Sequence, residues 1–321
     1  NIMKYYIGID LGGMSAKGAI FGEDGALIVK KSVVTQPEDG FEGTVDKMAG
    51  LCKELAAEAK TSMKNVEAIG MAVPGYIDVA TGVVVRWANF GWVKVPLGEK
   101  MKEKTGVATI KMSNDANVAA LGEAKFGAGK DYGSCLMVTL GTGVGGGIII
   151  DGKLMEGYMS AGAEIGHMVI CEGGALCTCG RHGCLEAYAS ATALIRLTKW
   201  KMELDCSTKM WEIAGGKLEN VDGKTAFSAA RAGDMRGKEV VDEYVEHLAV
   251  GLANLANVLR PEAILLGGGV SNEGEYLFAP LRTAVEKKLY TSVEFVPLKI
   301  EKAALGNDAG IWGAFALAKG L

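Results

Sequence analysis

Residues 137–152 read MVTLGTGVGGGIIIDG, and residues 5–28 read YYIGIDLGGMSAKGAIFGEDGALI. In each, an apolar run meets a Gly-rich turn and a second apolar run follows. A shift of 129 positions lays Leu11 on Leu140, Gly12 on Gly141, Gly18 on Gly147 and Ala19-Ile20-Phe21 on the three isoleucines. Self-similarity at one fixed offset marks a duplicated unit, here an α/β unit that opens with a β-meander. The backbone N–H groups of such a turn face an anion readily. Two of them opposed across a cleft would make a two-sided phosphate clamp, with Asp10 at the end of the first strand. The uncharged stretch 133–150 is long enough to raise a membrane span, but five glycines between Gly141 and Gly147 break it into strand, turn and strand.

Outward from these turns, Val45, Met48, Cys52, Leu55 and Ala59 recur at helical spacing, which makes Cys52 a core residue. Residues 66–73, VEAIGMAV, predict a buried strand ending at Pro74-Gly75, and strand C-termini in such sheets are where ligands bind. RWANFGW follows as a loop holding Trp87, Asn89 and Trp92. In 111–123, KMSNDANVAALGE, a short strand ends at Asn114-Asp115 and a helix starts near Asn117. Asn114, Asp115 and Asn117 are all able to cap it, so Asp115 alone reads as an ordinary helix cap. Residues 185–200 predict a helix, 201–224 an irregular polar insert, and 238–259 a long helix whose apolar stripe is core or dimer interface. AILLGGGVS gives a strand running into Gly267-Gly268-Gly269, where glycines permit close approach by a flat or charged ligand. The chain closes on a turn at Asn307-Asp308 and an apolar helix.

Residues 161–188, AGAEIGHMVICEGGALCTCGRHGCLEAY, carry the most concentrated chemistry. Cys177, Cys179 and Cys184 with His167 offer three thiolates and one imidazole, the donor set of a closed tetrahedral Zn²⁺ site, and Gly180 and Gly183 let the knuckle turn tightly. Glu164 and Glu186 flank it without being expected zinc ligands. Zinc on one ring nitrogen of His167 would direct the other outward, where the two carboxylates could sit beside it and recognise vicinal hydroxyls. A knuckle that only staples a loop uses the same ligands; the carboxylates favour the binding role.

With 321 residues and 49% hydrophobic content, the chain has material for two domains. A formal net charge of −4 disfavours nucleic acid as a principal partner. No signal peptide is visible, and scattered cysteines beside a thiolate metal site fit a reducing cytoplasm. Asn1 and Ile2 precede a natural-looking start at Met3.

These motifs in this order resemble the ROK family of sugar kinases and repressors, and its kinase branch that includes bacterial glucokinases. CTCGRHGCLE follows the family's C-x-C-G-x-x-G-C-x-E pattern at every fixed position, and GAEIGH precedes it. The resemblance implies an actin-like, ribonuclease-H-like duplicated α/β fold with a central cleft: a small domain of residues 1–116 and 303–321, and a large domain of 117–302 bearing the zinc knuckle and a dimerisation surface. It makes Asp10, Gly12, Gly13 and Lys17 the first phosphate loop, Gly141, Thr142 and Gly143 the second, and Gly267, Gly268 and Gly269 the nucleotide-side loop. Asn114, Asp115, Glu164, His167 and Glu186 become sugar ligands, joined by Gly75 and Asn89, with Asp115 as catalytic base.

The implied reaction is ATP-dependent phosphorylation of a hexose, with glucose first and N-acetylmannosamine, N-acetylglucosamine, mannose, allose and fructose as alternatives. It needs Mg²⁺ near Asp10 and a structural Zn²⁺, in a cytoplasmic homodimer or tetramer without nucleic-acid or membrane partners. One departure stands out: the family usually has Thr after the paired glycines, and this chain has Met14. That change motivates a non-catalytic sugar sensor as the alternative to an enzyme. A DNA-binding repressor of the family is disfavoured, because the first strand begins too early to leave room for a helix-turn-helix.

Overall fold

The structure, a computed structural model, describes residues 3–321; Asn1 and Ile2, and what their position before Met3 implies, lie outside the described residues. The first half contains β1 (Tyr5–Leu11), β2 (Ser15–Gly22), β3 (Leu27–Val34), α1 (Gly40–Glu58), β4 (Val66–Val73), β5 (Tyr76–Asp78), β6 (Val83–Trp87), β7 (Trp92–Val95), α2 (Leu97–Thr105), β8 (Thr109–Asn114) and α3 (Asp115–Phe126). The rest comprises β9 (Cys135–Leu140), β10 (Val144–Ile150), β11 (Lys153–Leu154), α4 (Glu186–Ala189), α5 (Ala191–Leu204), α6 (Lys209–Ile213), α7 (Thr225–Arg231), α8 (Met235–Leu259), β12 (Ala263–Gly267), α9 (Glu275–Glu286), β13 (Lys299–Lys302) and α10 (Ala309–Lys319).

The predicted duplication is visible in the sheets. One runs β3-β2-β1-β4-β8 and the other β11-β10-β9-β12-β13, the same sequence of an antiparallel meander followed by parallel strands. The offset of 129 carries β1 and β2 onto β9 and β10 almost residue for residue, while β11 keeps only two residues of the third strand.

Backbone contacts group residues up to 133, 147–163 and 304–321 into one compact unit, and 134–146 with 164–303 into a second. The sequence had put α3 and 147–163 on the other side of its boundary. They group with the first unit because α3 and α10 pack backbone against backbone: a methyl on Gly313 would lie 1.7 Å from the Val118 carbonyl oxygen. Helix α10 presses as closely on the sheet, where a methyl on Gly70 of β4 would lie 1.8 Å from the Ala314 oxygen. The opposite face of β1 buries Ile7, Ile9 and Leu11 against Val45, Met48, Cys52 and Leu55 of α1. Cys52 is therefore core, as its spacing predicts, and burial pushes its thiol up to about 12.

Four local expectations are corrected. RWANFGW is no loop: β6, a 3₁₀ turn at Ala88–Phe90 and β7 form a hairpin in a small sheet β5-β6-β7, with Trp87 and Trp92 buried and Asn89 exposed. Helix α3 starts at Asp115 rather than near Asn117. The helix expected over 185–200 is two, since the Ser190 hydroxyl accepts from the Ala193 N–H and caps α5 after α4 has ended. The insert 201–224 holds the end of α5, helix α6 and a further 3₁₀ turn. In α8, Val241, Tyr244, Val245, Leu248, Leu252 and Ala256 are all buried, so this stripe is core. Among the described residues no helix is long and apolar enough to cross a membrane.

Candidate active site and metal centre

In the first unit, the turn between β1 and β2 is closed by the Gly12 N–H donating to the Ser15 carbonyl at 2.9 Å. Buried Thr35 pins it twice: its hydroxyl donates to the Gly12 carbonyl at 3.0 Å and its N–H to the Met14 carbonyl at 3.1 Å. A methyl on Gly13 would meet nothing within 4 Å, and its φ is not left-handed. Neither packing nor backbone strain demands glycine there. The Met14 side chain, 84% exposed, projects from the same turn.

Asp10, one residue before the end of β1, lies opposite Lys17 of β2, and Lys17 also donates to the Asn307 carbonyl at 3.4 Å. Burial raises the Asp10 pKa above the usual carboxylate value, Lys17 opposes the rise and Asp308 adds to it. The carboxylate lies against Gly310, where a methyl would come within 2.6 Å of it. A desolvated carboxylate of this kind gains from a cation, which suits Mg²⁺.

Asn114 and Asp115 divide two tasks. The Asn114 side-chain oxygen caps α3, accepting from the Ala116 N–H at 3.0 Å and the Asn117 N–H at 3.5 Å, while its amide donates to the Gly75 carbonyl at 2.9 Å. Asp115 is thus not the cap. It is the first helical residue, with Oδ1 accepting from the Ala116 N–H at 2.9 Å, at the positive end of the helix dipole. Gly75 sits beside Asn114, and it must be glycine for the chain's own reasons: its φ is 89° and a methyl would lie 2.3 Å from the Arg86 oxygen. Just upstream, the buried Ser113 hydroxyl donates to the Glu156 carboxylate, a link with no local sequence signal.

In the second unit, the Gly141-Thr142-Gly143 turn is held by α5. The Ala191 N–H donates to the Gly141 carbonyl and the Thr192 hydroxyl to the Thr142 carbonyl, each at 2.8 Å. A methyl on Gly141 would meet nothing within 4 Å, whereas one on Gly143 would lie 2.4 Å from a Glu186 oxygen. β12 ends at Gly267, which faces the flexible end of Met137; just beyond it Gly268 has a positive φ of 82° and Gly269 opens on free space.

His167, Cys177, Cys179 and Cys184 place one donor atom each within 4.8 Å of all the others. The His167 Nδ1 lies 3.6 Å from the Cys177 sulfur, and the Cys179 and Cys184 sulfurs are 3.7 Å apart. Tetrahedral zinc with bonds of about 2.3 Å to sulfur and about 2.0–2.1 Å to nitrogen sets its ligand atoms roughly 3.5–3.8 Å apart, so these residues fit the metal. The tight turn is as predicted: Gly180 and Gly183 have φ of 85° and 83°, and the Cys177 N–H closes on the Arg181 carbonyl at 2.8 Å. The Arg181 N–H holds the Cys179 thiol down to about 6, while burial pushes the Cys177 thiol up to about 11.

Glu186 lies against the knuckle, where the Cys177 thiol donates to one of its oxygens at 3.6 Å. One of its oxygens accepts from the Thr178 hydroxyl at 2.5 Å and the other from the Val144 N–H at 3.1 Å. Neither Thr178 nor Val144 was singled out from the sequence. Glu164 is exposed where it precedes the 3₁₀ turn Ile165–His167.

A twice-built α/β unit with Gly-rich turns and a thiolate-imidazole knuckle defines a sugar-kinase-like class within the actin-like folds, and the ROK family matches residues 6–320. The chain belongs to that family. It is 39% identical to a glucokinase of Halalkalibacterium halodurans over 98% of this chain and 95% of that protein. To a glucokinase of Thermotoga maritima it is 37% identical, over 98% and 96%. Among solved structures, a ROK family glucokinase from Streptomyces griseus, in complex with glucose and AMPPNP, superposes with a TM-score of 0.77 at 35% identity, covering 99% of this chain and all of that one.

Proposed function

We propose that this chain is an ATP-dependent hexose kinase that phosphorylates glucose on its 6-hydroxyl. The observation that carries this is the match to the ROK family over residues 6–320 with 39% identity to a glucokinase, and Asp115, the first residue of α3, is the proposed base. Asp115 accepts the proton of the sugar hydroxyl as that oxygen bonds to the γ-phosphorus and the bond to the ADP oxygen breaks. By the family resemblance, Asn114, Gly75, Asn89, Glu164, His167 and Glu186 are the residues assigned to the remaining hydroxyls.

The turns at Gly12-Gly13 and Gly141-Gly143, with Lys17, present N–H groups and charge to the ATP phosphates, and the Gly267-Gly268-Gly269 loop takes the nucleotide side. Asp10 would hold Mg²⁺, which neutralises phosphate charge when bound. Zinc on the knuckle orients His167. The thiolate-rich knuckle supports a reducing, cytoplasmic location, and exposed Trp200 and Leu204 on α5 support a homodimer formed through the second unit.

ADP release measured over a panel of glucose, mannose, N-acetylmannosamine, N-acetylglucosamine, allose and fructose tests the substrate; glucose is expected to give the highest kcat/KM. The exposed thioether of Met14 cannot donate to a phosphate, and a threonine hydroxyl can. Met14→Thr is therefore expected to lower the KM for ATP by roughly fivefold, the worth of one hydrogen bond. An unchanged KM would mean that Ser15 or the backbone already supplies the contact.

A further inference from the structure

We propose, resting on the assignment of Glu186 as a sugar ligand, that Thr178 is a positioning residue: its hydroxyl orients the Glu186 carboxylate for the sugar and couples the metal knuckle to sugar affinity. A carboxylate has about four lone-pair directions. In Glu186, Oε1 accepts from the Thr178 hydroxyl at 2.5 Å and from the Cys177 thiol at 3.6 Å, and Oε2 accepts from the Val144 N–H at 3.1 Å. Donors on both oxygens, the Thr178 hydroxyl the shortest of them, set the rotation of the whole group and leave a lone pair on Oε2 for a hydroxyl donor of a ligand.

The two anchors come from different places. Thr178 lies between Cys177 and Cys179, so its backbone is held on both sides by residues of the metal cluster. Val144 directly follows the Gly141-Gly143 turn and opens β10. Space is tight at this junction, as the 2.4 Å approach of a Gly143 methyl to the carboxylate shows. With both neighbours fixed, a short hydrogen bond between hydroxyl and carboxylate directs Glu186, and removing its donor frees the carboxylate to rotate about its last torsion. Thr178 ligates nothing itself, and its side chain is exposed, so removing its hydroxyl costs no core packing.

The test compares Thr178→Val, Thr178→Ser and Glu186→Gln in the full chain, by glucose titration calorimetry, steady-state kinetics and zinc content. Thr178→Val is expected to raise the glucose Kd and KM roughly tenfold, the effect of losing one charge-assisted hydrogen bond, with kcat nearly kept and zinc at the unsubstituted level. Thr178→Ser keeps the hydroxyl and is expected to restore glucose affinity. If Glu186→Gln weakens glucose binding and Thr178→Val does not, Thr178 does not position Glu186. If Thr178→Val loses zinc, or Thr178→Ser fails to restore binding, the residue serves the knuckle instead and the proposal is overturned. Unchanged glucose binding in Glu186→Gln would reject the sugar assignment of Glu186 and the role of Thr178 with it.

Discussion

Asp115→Asn is expected to reduce kcat by about 10²- to 10⁴-fold, the range typical of a lost general base, while leaving the fold and most of the glucose affinity in place. The placement of the neighbours makes this substitution clean. Asn and Asp cap helices about equally well, so had Asp115 been the cap of α3, an asparagine there would have changed little. The cap is Asn114, and it remains untouched. What the substitution removes is a carboxylate at the positive end of a helix, able to take a proton as the phosphoryl group arrives. Near-normal kcat with intact glucose binding would show that another group takes the proton.

Cys179→Ser is the second large effect. Zinc content is expected to fall well below one per chain, Tm to drop by about 5–10 °C, and activity to fall as His167 loses its orientation. Cys179 is the exposed member of the cluster, in contrast to buried Cys177 and Cys184, so replacing sulfur by oxygen there disturbs no packing. A change in stability therefore reports on the metal. Elemental analysis of protein purified without added zinc, alongside a thermal melt, makes the measurement. An active, equally stable protein free of zinc would contradict the assignment.

The parts of the fold written in local periodicity were legible from the residues alone. Strand β4 falls on 66–73 as its run, apolar but for Glu67, predicts, and the offset of 129 anticipated two sheets of the same order. The four-residue metal cluster was legible because three ligands lie within eight positions and the fourth just upstream. What stayed hidden depended on choices among equivalent signals or on distant partners. Three residues fit to cap α3 stand within four positions, and only the fold shows that Asn114 caps and Asp115 follows. The break at Ser190 interrupts an apolar pattern that continues on both sides. Trp87 and Trp92 looked like loop residues because β6 and β7 are short and a turn at Ala88–Phe90 lies between them; they are buried in the core by packing on each other, on Phe90 and on Phe41. Thr35 on the first turn and Thr178 on Glu186 act across 21 or more and eight residues respectively, distances at which no spacing rule speaks.

The most direct test of the central claim is to incubate the purified chain with ATP, Mg²⁺ and glucose and identify the products by ³¹P NMR. The expected result is glucose 6-phosphate and ADP in equal amounts, formed at a rate that collapses in Asp115→Asn. Formation of no sugar phosphate from glucose or from any hexose of the panel, by a folded and zinc-loaded protein, would contradict it.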